Sequence, residues 1–271
     1  MNMSPELSFF LILLLRMAIT AAFVVSASVI TERSGPVIGA LVATLPISAG
    51  PSYVFLALDH DAAFIAEGAL ASLPINAATI FLALTYAVLA QRFPLWISEG
   101  AAVALWLGLA TLIRQFQWTL LAGVIANVVT FAICVPLMRP YMRVKRMPLI
   151  VRRWYDIPVR AGLVATLVAT VVSTSSWVGP RISGIIALFP IVFTSLMLIL
   201  HPRIGGVPTA AVIANGAWGL MGFGLAIAVM HVAALKFGSA VGLSLALATC
   251  IGWNLTLWWN GRRKAARAVS G

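Results

Sequence analysis

From Leu7 to Ile30 the chain carries one charge, Arg16, and apolar runs of similar length recur to its end. A helix needs about 20 mainly apolar residues to cross a bilayer, because each residue advances it by only about 1.5 Å. In lipid every backbone polar group must be satisfied within the structure, so runs of this length read as spanning helices. The expected fold is therefore all-α, a polytopic transmembrane helix bundle. Composition agrees where it bears on this: 62% of the 271 residues are hydrophobic and 9% are charged, against about 45–50% and about 25% in soluble domains.

Nine segments are expected: about Leu7–Ile30, Pro36–Leu58, Ala62–Ala90, Leu95–Ile113, Phe116–Met138, Ile157–Trp177, Pro180–Leu200, Val207–Leu235 and Phe237–Trp259. Glu6 is the only charge before the first run, and Arg16 interrupts it, so the N-terminal stretch reads as a retained helix and not a signal peptide. The one long polar stretch, Arg139 to Asp156, is a basic linker, and the tail from Gly261 is basic again. The net charge of +11 would suggest nucleic acid in a soluble chain. Here it follows topology. With the linker and tail in the cytoplasm, 14 of the 18 Lys and Arg residues fall inside, Arg114, Arg181 and Lys236 fall outside, and Arg16 lies within a helix. The expected location is the bacterial cytoplasmic (inner) membrane, with the N-terminus periplasmic and the C-terminus cytoplasmic.

Two stretches answer each other. Gly35-Pro36 opens a segment that Pro46-Ile47 interrupts, and 144 positions on (180 minus 36) Gly179-Pro180 opens one that Pro190-Ile191 interrupts. Arg16 and Arg160 keep the same offset. Beyond a four-residue insertion the offset is 148 (210 minus 62), where six of eight residues in Ala62–Ala69 are identical to Ala210–Ala217. Rare residues in register argue for duplication and not merely shared composition. The expected organisation is a first four-helix repeat over 1–113, a linker helix and basic loop over 114–156, a second repeat over 157–260 and a basic tail over 261–271. Five crossings separate equivalent starts, which makes this a 4+1+4 inverted-topology repeat with Pro-interrupted helices. An interior Pro frees a carbonyl and kinks a helix, and paired broken helices in the two halves are where secondary transporters bind their substrates. A break of segments three and eight into shorter spans would instead make the halves parallel.

The polar residues inside this apolar frame are the candidates for function. Arg16 and Glu67 lie at similar depth in one leaflet, so an Arg16–Glu67 ion pair is the simplest expectation. The second half repeats the Arg as Arg160 but sets Asn215 where the first has Glu67. That leaves Arg160 to meet an anionic group, which the planar guanidinium suits; locking helices or reaching headgroups is its structural alternative. Around the breaks stand Pro46, Ser48, Pro190 and Thr194, with Asn76 after Pro74 in segment three. Hydroxyls near a Pro either re-satisfy freed backbone or, facing a cavity, touch substrate. Arg16, Arg160, Pro46, Ser48, Pro190, Thr194 and Asn215 form the expected substrate-binding set. Glu67 is the expected proton-coupling carboxylate, since desolvation raises and a nearby Arg lowers its affinity for a proton. Glu99 is interfacial or a second coupling candidate. Asp59-His60-Asp61 reads as a solvated turn. Cys134 and Cys250 read as packing residues, and no Cys/His cluster has metal spacing, so neither metal nor cofactor is expected.

The stretch Gly39-Ala40-Leu41-Val42-Ala43-Thr44-Leu45-Pro46-Ile47-Ser48, echoed from Gly184 to Ile191, resembles short bacterial membrane proteins of the GlpM-like type, which have about four helices. The resemblance implies a duplicated and fused version of that unit and carries over no functional residue. No signature of an enzyme is present: there is no His-Glu-x-x-His, no phosphate-binding Gly-Lys-Ser/Thr loop and no Gly-x-Ser-x-Gly elbow. The leading expectation is a non-enzymatic secondary transporter of a small anionic or zwitterionic solute, proton-coupled. The alternatives are a non-transporting subunit that anchors or assembles a larger membrane complex, and a lipid-handling membrane protein. The expected partners are the lipid bilayer and a small solute, without nucleic acid; a homo-oligomer is compatible with all three readings.

Overall fold

The computed structural model describes residues 5–33, 46–144 and 153–270, with side chains over 7–29, 46–144 and 153–263. The first repeat motif from Gly35 to Leu45 and the linker residues Lys145 to Arg152 lie outside the described residues. Among the described residues the regular structure is entirely helical. Among the described residues seven helices are long and apolar enough to cross a membrane.

The chain opens with α1 (Pro5–Arg33), and after the undescribed stretch continues as α2 (Ala49–Asp59). Asp61 then caps α3 (Ala62–Leu89), its carboxylate accepting from the Phe64 N–H at 2.9 Å. This satisfies one of the orphan donors of a helix start. Next come α4 (Leu95–Ile113), entered through Pro94, and α5 (Leu120–Met138), capped by Thr119. α6 (Asp156–Ala187) is two helices in one: Gly179 has φ 74° and ψ 179°, a left-handed backbone that glycine adopts without strain, and the chain turns there. The first part matches expected segment six. The second, with α7 (Ile191–Ile204), forms segment seven, interrupted over Leu188–Pro190. Then follow α8 (Gly206–Asn215) and α9 (Ala217–Phe237), nearly continuous through Gly216. The chain ends in α10 (Ser239–Ser270).

α3 is the axis of the bundle. Its best window is 72% buried, against 11% for α1, whose Phe9, Phe10, Leu14 and Leu15 stay outside. It packs against α4, α5, α6 and α9. Pro74 sits inside that helix, and beside it Asn127 of α5 donates through Nδ2 to the carbonyl of Leu73 at 2.7 Å, tying α5 to α3. Along α3 the partners on the other half run backwards. The Ala66 carbonyl meets His231 Nδ1 at 2.8 Å, Asn76 Nδ2 donates to the Leu220 carbonyl at 3.1 Å, and a Cβ on Gly206 would fall 2.1 Å from the Ala90 carbonyl. So α3 and the α8–α9 helix are antiparallel over their whole length. α1 likewise packs against α6.

A second close approach is glycine on glycine. A Cβ on Gly184 would lie 2.2 Å from the Gly68 carbonyl oxygen, so only two bare backbones can pass there. Ser72 fixes the crossing by donating to the Gly184 carbonyl at 2.8 Å, and its hydroxyl pairs with that of Tyr53 on α2 at 2.6 Å. Small residues that admit close backbone approach are the usual means of joining helices in lipid, where apolar burial alone gives little preference for protein over tails.

Candidate functional site

Ion pairs tie the helices together, and Arg16 does not pair with Glu67. Arg16 instead grips Asp59, Nη1 and Nη2 on the two carboxylate oxygens at 2.5 and 2.6 Å, with its guanidinium 5.6 Å from the Phe55 ring centre. Asp59 is the last residue of α2, not part of a free loop, so its side chain folds back onto α1. Glu67 accepts from Arg181 Nε at 2.8 Å. At the opposite end, Arg203 Nη1 donates to Asp156 at 2.7 Å and Nη2 binds the second carboxylate oxygen. There the Arg153 guanidinium hydrogen-bonds the Tyr155 hydroxyl at 2.8 Å and, with Arg203 over the ring, holds that phenol below its usual range.

The turn 59–61, expected to be solvated, is engaged at each residue: Asp59 with Arg16, His60 Nε2 with the Ser175 hydroxyl at 2.8 Å, and Asp61 as the cap of α3. The Glu67–Arg181 pair is different in kind, because its side chains are 44% and 52% exposed. Exposed pairs contribute about 0–1 kcal/mol. Glu67→Gln should therefore lower the melting temperature of detergent-solubilised protein by no more than about 4 °C; a larger fall would mean that Glu67 does more than hold Arg181.

Between the broken helices lies a cavity of about 170 Å³. Pro46, Ser48 and Ala49 bound it from the start of α2, and Pro190, Val192 and Phe193 from the start of α7. Asn76 and Thr79 of α3 form one wall, and Gly219 and Phe223 of α9 another. Both helix starts that face it lack a side-chain cap: Ser48 and Pro190 are the cap residues, and neither side chain bonds its helix. Asn76 is 1% exposed. Its Nδ2 donates to Asn127 Oδ1 at 2.8 Å and to the Leu220 carbonyl, which fixes the amide's orientation, and its Oδ1 has no hydrogen-bond partner among the described residues. Phe189 lines the cavity and meets Trp106 edge to face at 5.3 Å, with Trp106 Nε1 donating to Thr79 at 3.1 Å.

No protein-family model, curated protein or solved structure matches this chain. Its chemistry is therefore read from its own geometry.

Of the residues expected at the site, Pro46, Ser48 and Pro190 line the cavity. The others stand elsewhere. Arg16 is committed to Asp59 on α1's side of the bundle. Arg160 is half-buried on α6, one turn beyond Asp156, and does not line the cavity. Thr194 turns its hydroxyl back to the carbonyls of Pro190 and Ile191, which is the backbone-satisfying role open to any hydroxyl near a Pro. Asn215 bonds the carbonyls of Met142 and Ala211, joining α8 to the start of the linker. Asn76 moves from the margin of the sequence reading to the wall of the cavity, and Thr79 joins it. Their signal in the sequence was a Pro with polar residues two and five positions later on an otherwise apolar helix.

Glu99 also stands out. It sits in the first turns of α4, 8% exposed, with Oε2 buried and unpartnered, near enough to Tyr86 to act on it electrostatically. Tyr86 in turn meets His201 Nδ1 at 2.8 Å. Cys134 and Cys250 are buried free thiols. Among the described residues no three His, Cys, Asp or Glu side chains cluster as metal ligands would.

Proposed function

We propose that this protein is a secondary transporter of a small anionic or zwitterionic solute, built as an inverted repeat, with its site in the cavity between the broken helices. One observation carries the reading: the helix starts that follow the corresponding prolines, Pro46 and Pro190, line the same cavity. Interrupted helices are tolerated at membrane depth where their loose ends line a cavity.

Two further observations support the inverted arrangement. α3 packs antiparallel to α8–α9, the segment that repeats it. Asn76 also faces its own counterpart: at the 148 offset it corresponds to Gly224, and a Cβ there would lie 2.7 Å from Asn76 Nδ2. A residue opposite its own copy is what a pseudo-twofold axis through that point produces. In this reading the segment around Pro190 is a broken span that adds to the continuous ones.

The coupling proton is assigned to Glu99 in preference to Glu67. Glu67 is held by a cation and is nearly half exposed, whereas Glu99 is buried with one carboxylate oxygen that has no hydrogen-bond partner among the described residues. The test is flux into proteoliposomes of labelled acetate, lactate, alanine and succinate under an imposed pH gradient. Wild type should accumulate at least one of them, Val192→Trp should block it by filling the cavity, and Glu99→Gln should abolish the response to pH while Glu67→Gln keeps it. Uptake equal to that of empty vesicles for every solute would overturn transport in favour of the subunit reading.

A further inference from the structure

Away from that cavity, three charged side chains share a pocket of about 230 Å³ at the end of the bundle where α4 stops and α6 turns. They are Glu67 of α3, Arg181 of α6 and Arg114, the residue that closes α4. Two cations against one carboxylate leave one positive charge in excess. Their donors are not used up. Arg181 gives only Nε to Glu67, and among the described residues neither its Nη groups nor the Arg114 side chain has a hydrogen-bond or ion-pair partner. Glu67 and Arg181 are about half exposed and Arg114 is exposed, so a ligand reaches all three.

A guanidinium presents its donors as a planar fork that matches carboxylate and phosphate oxygens. The polar side of the pocket therefore suits an oxyanion with a single negative charge. The rest is apolar: Leu70, Ile185, Phe116 and the ring of Trp118, whose Nε1 is already spent on the Ile113 carbonyl at 2.9 Å. Arg114 and Ile185 also line the groove of about 330 Å³ between α4 and α6, so pocket and groove meet at these two residues. Arg114 is the one charged group among the described residues of that groove. From it the groove follows α4 back to Trp106, eight residues (114 minus 106) or about 12 Å of helix. At about 30 Å³ per water, it holds about 11 groups of that size, and a methylene is such a group. Both α4 and α6 are long and apolar enough to cross a membrane, which puts the groove within reach of lipid.

We propose that the pocket and groove together bind one anionic phospholipid, its monoanionic phosphodiester at Arg114 and Arg181 and one acyl chain along α4. A short free anion would leave the groove empty, and a zwitterionic headgroup would bring an ammonium beside a positive excess. The chain exchanges one hydrocarbon surrounding for another, so it adds little preference of its own. Discrimination lies with the headgroup and weakens in salt. The site is independent of the transport reading.

The test reads binding. Purified protein in a neutral detergent is melted with dioleoyl phosphatidylglycerol, dioleoyl phosphatidylethanolamine or dimethyl phosphate, which is the same charged diester without chains. Phosphatidylglycerol should raise the melting temperature in a saturable way, half-maximally at about tenfold lower mole fraction than phosphatidylethanolamine, and dimethyl phosphate should do nothing. The preference should vanish in the double variant Arg114→Gln, Arg181→Gln, and for wild type in about 0.5 M sodium chloride. Leu107→Trp, at an exposed position on the groove, keeps both arginines and should weaken both lipids. Arg143→Gln removes an exposed cation that lines neither space and should change nothing. Equal action of the two lipids, dimethyl phosphate acting as well as phosphatidylglycerol, wild-type binding by Leu107→Trp, or as large a loss in Arg143→Gln as in the double variant would each overturn the proposal. Should the double variant fail to fold, the salt and Leu107→Trp arms decide the same question.

Discussion

Gly184→Val should leave little folded protein, and Gly184→Ala should already lower the melting temperature by about 6–12 °C. The atoms in the way are backbone: a Cβ would stand 2.2 Å from the Gly68 oxygen, 2.8 Å from its carbonyl carbon and 3.0 Å from its Cα. A flexible side chain could swing aside, but a helix has to move as a unit, and overpacking of this kind costs about 1–3 kcal/mol or more. The same movement would stretch the bond from Ser72 to the Gly184 carbonyl, adding about 1 kcal/mol. Gly68→Ala should be milder, since its Cβ would come no nearer than 3.2 Å to the Pro180 oxygen. Gly162→Ala is the control: its Cβ meets nothing, and exchanging glycine for alanine inside a helix gains about 0.5–1 kcal/mol. Thermal unfolding in detergent, followed by the monodisperse fraction, would separate the four. A Gly184→Ala protein that melts with wild type would mean the two backbones do not meet there.

Trp106→Ala is expected to lower the melting temperature by a similar amount, about 6–12 °C, and to make loaded vesicles leak. Trp106 is 3% exposed and fills the space between α3, α4 and the break before α7. Truncating a buried Trp costs about 3–5 kcal/mol. The lower end applies here, because a bilayer receives an exposed apolar surface better than water does. Contact loss dominates: the edge-to-face pairing with Phe189 and the bond to Thr79 both go. Phe189 lines both the 170 Å³ cavity and a groove of about 330 Å³ between α4 and α6, and Trp106 lines that groove. Removing the indole should widen the groove toward the cavity. Trp106→Phe keeps a ring in place and should lose only the bond to Thr79, about 1 kcal/mol, while still retaining solute. Retention by Trp106→Ala vesicles equal to wild type would show that this wall does not seal the cavity.

The sequence alone determined the helices and where they break. Spanning lengths follow from the thickness of hydrocarbon, and α3, α4 and the break before α7 fall within a few residues of expectation, because Gly179 and Pro190 act on their own backbones and need no partner. It also put Pro46 and Pro190 in correspondence, and both reach the cavity. What the tertiary structure decided is which polar groups meet. Arg16 and Glu67 were expected at similar depth, yet they pair with Asp59 and Arg181, because depth is one coordinate and azimuth another. With about 3.6 residues per turn, a shift of one residue swings a side chain by about 100°, and nothing local records which neighbour it then faces. Asn76 opposite Gly224, Trp106 against Phe189 and the bare passage of Gly184 over Gly68 belong to that second class: each is set by how two helices cross, and the crossing is a property of the packed bundle, not of either strand of sequence.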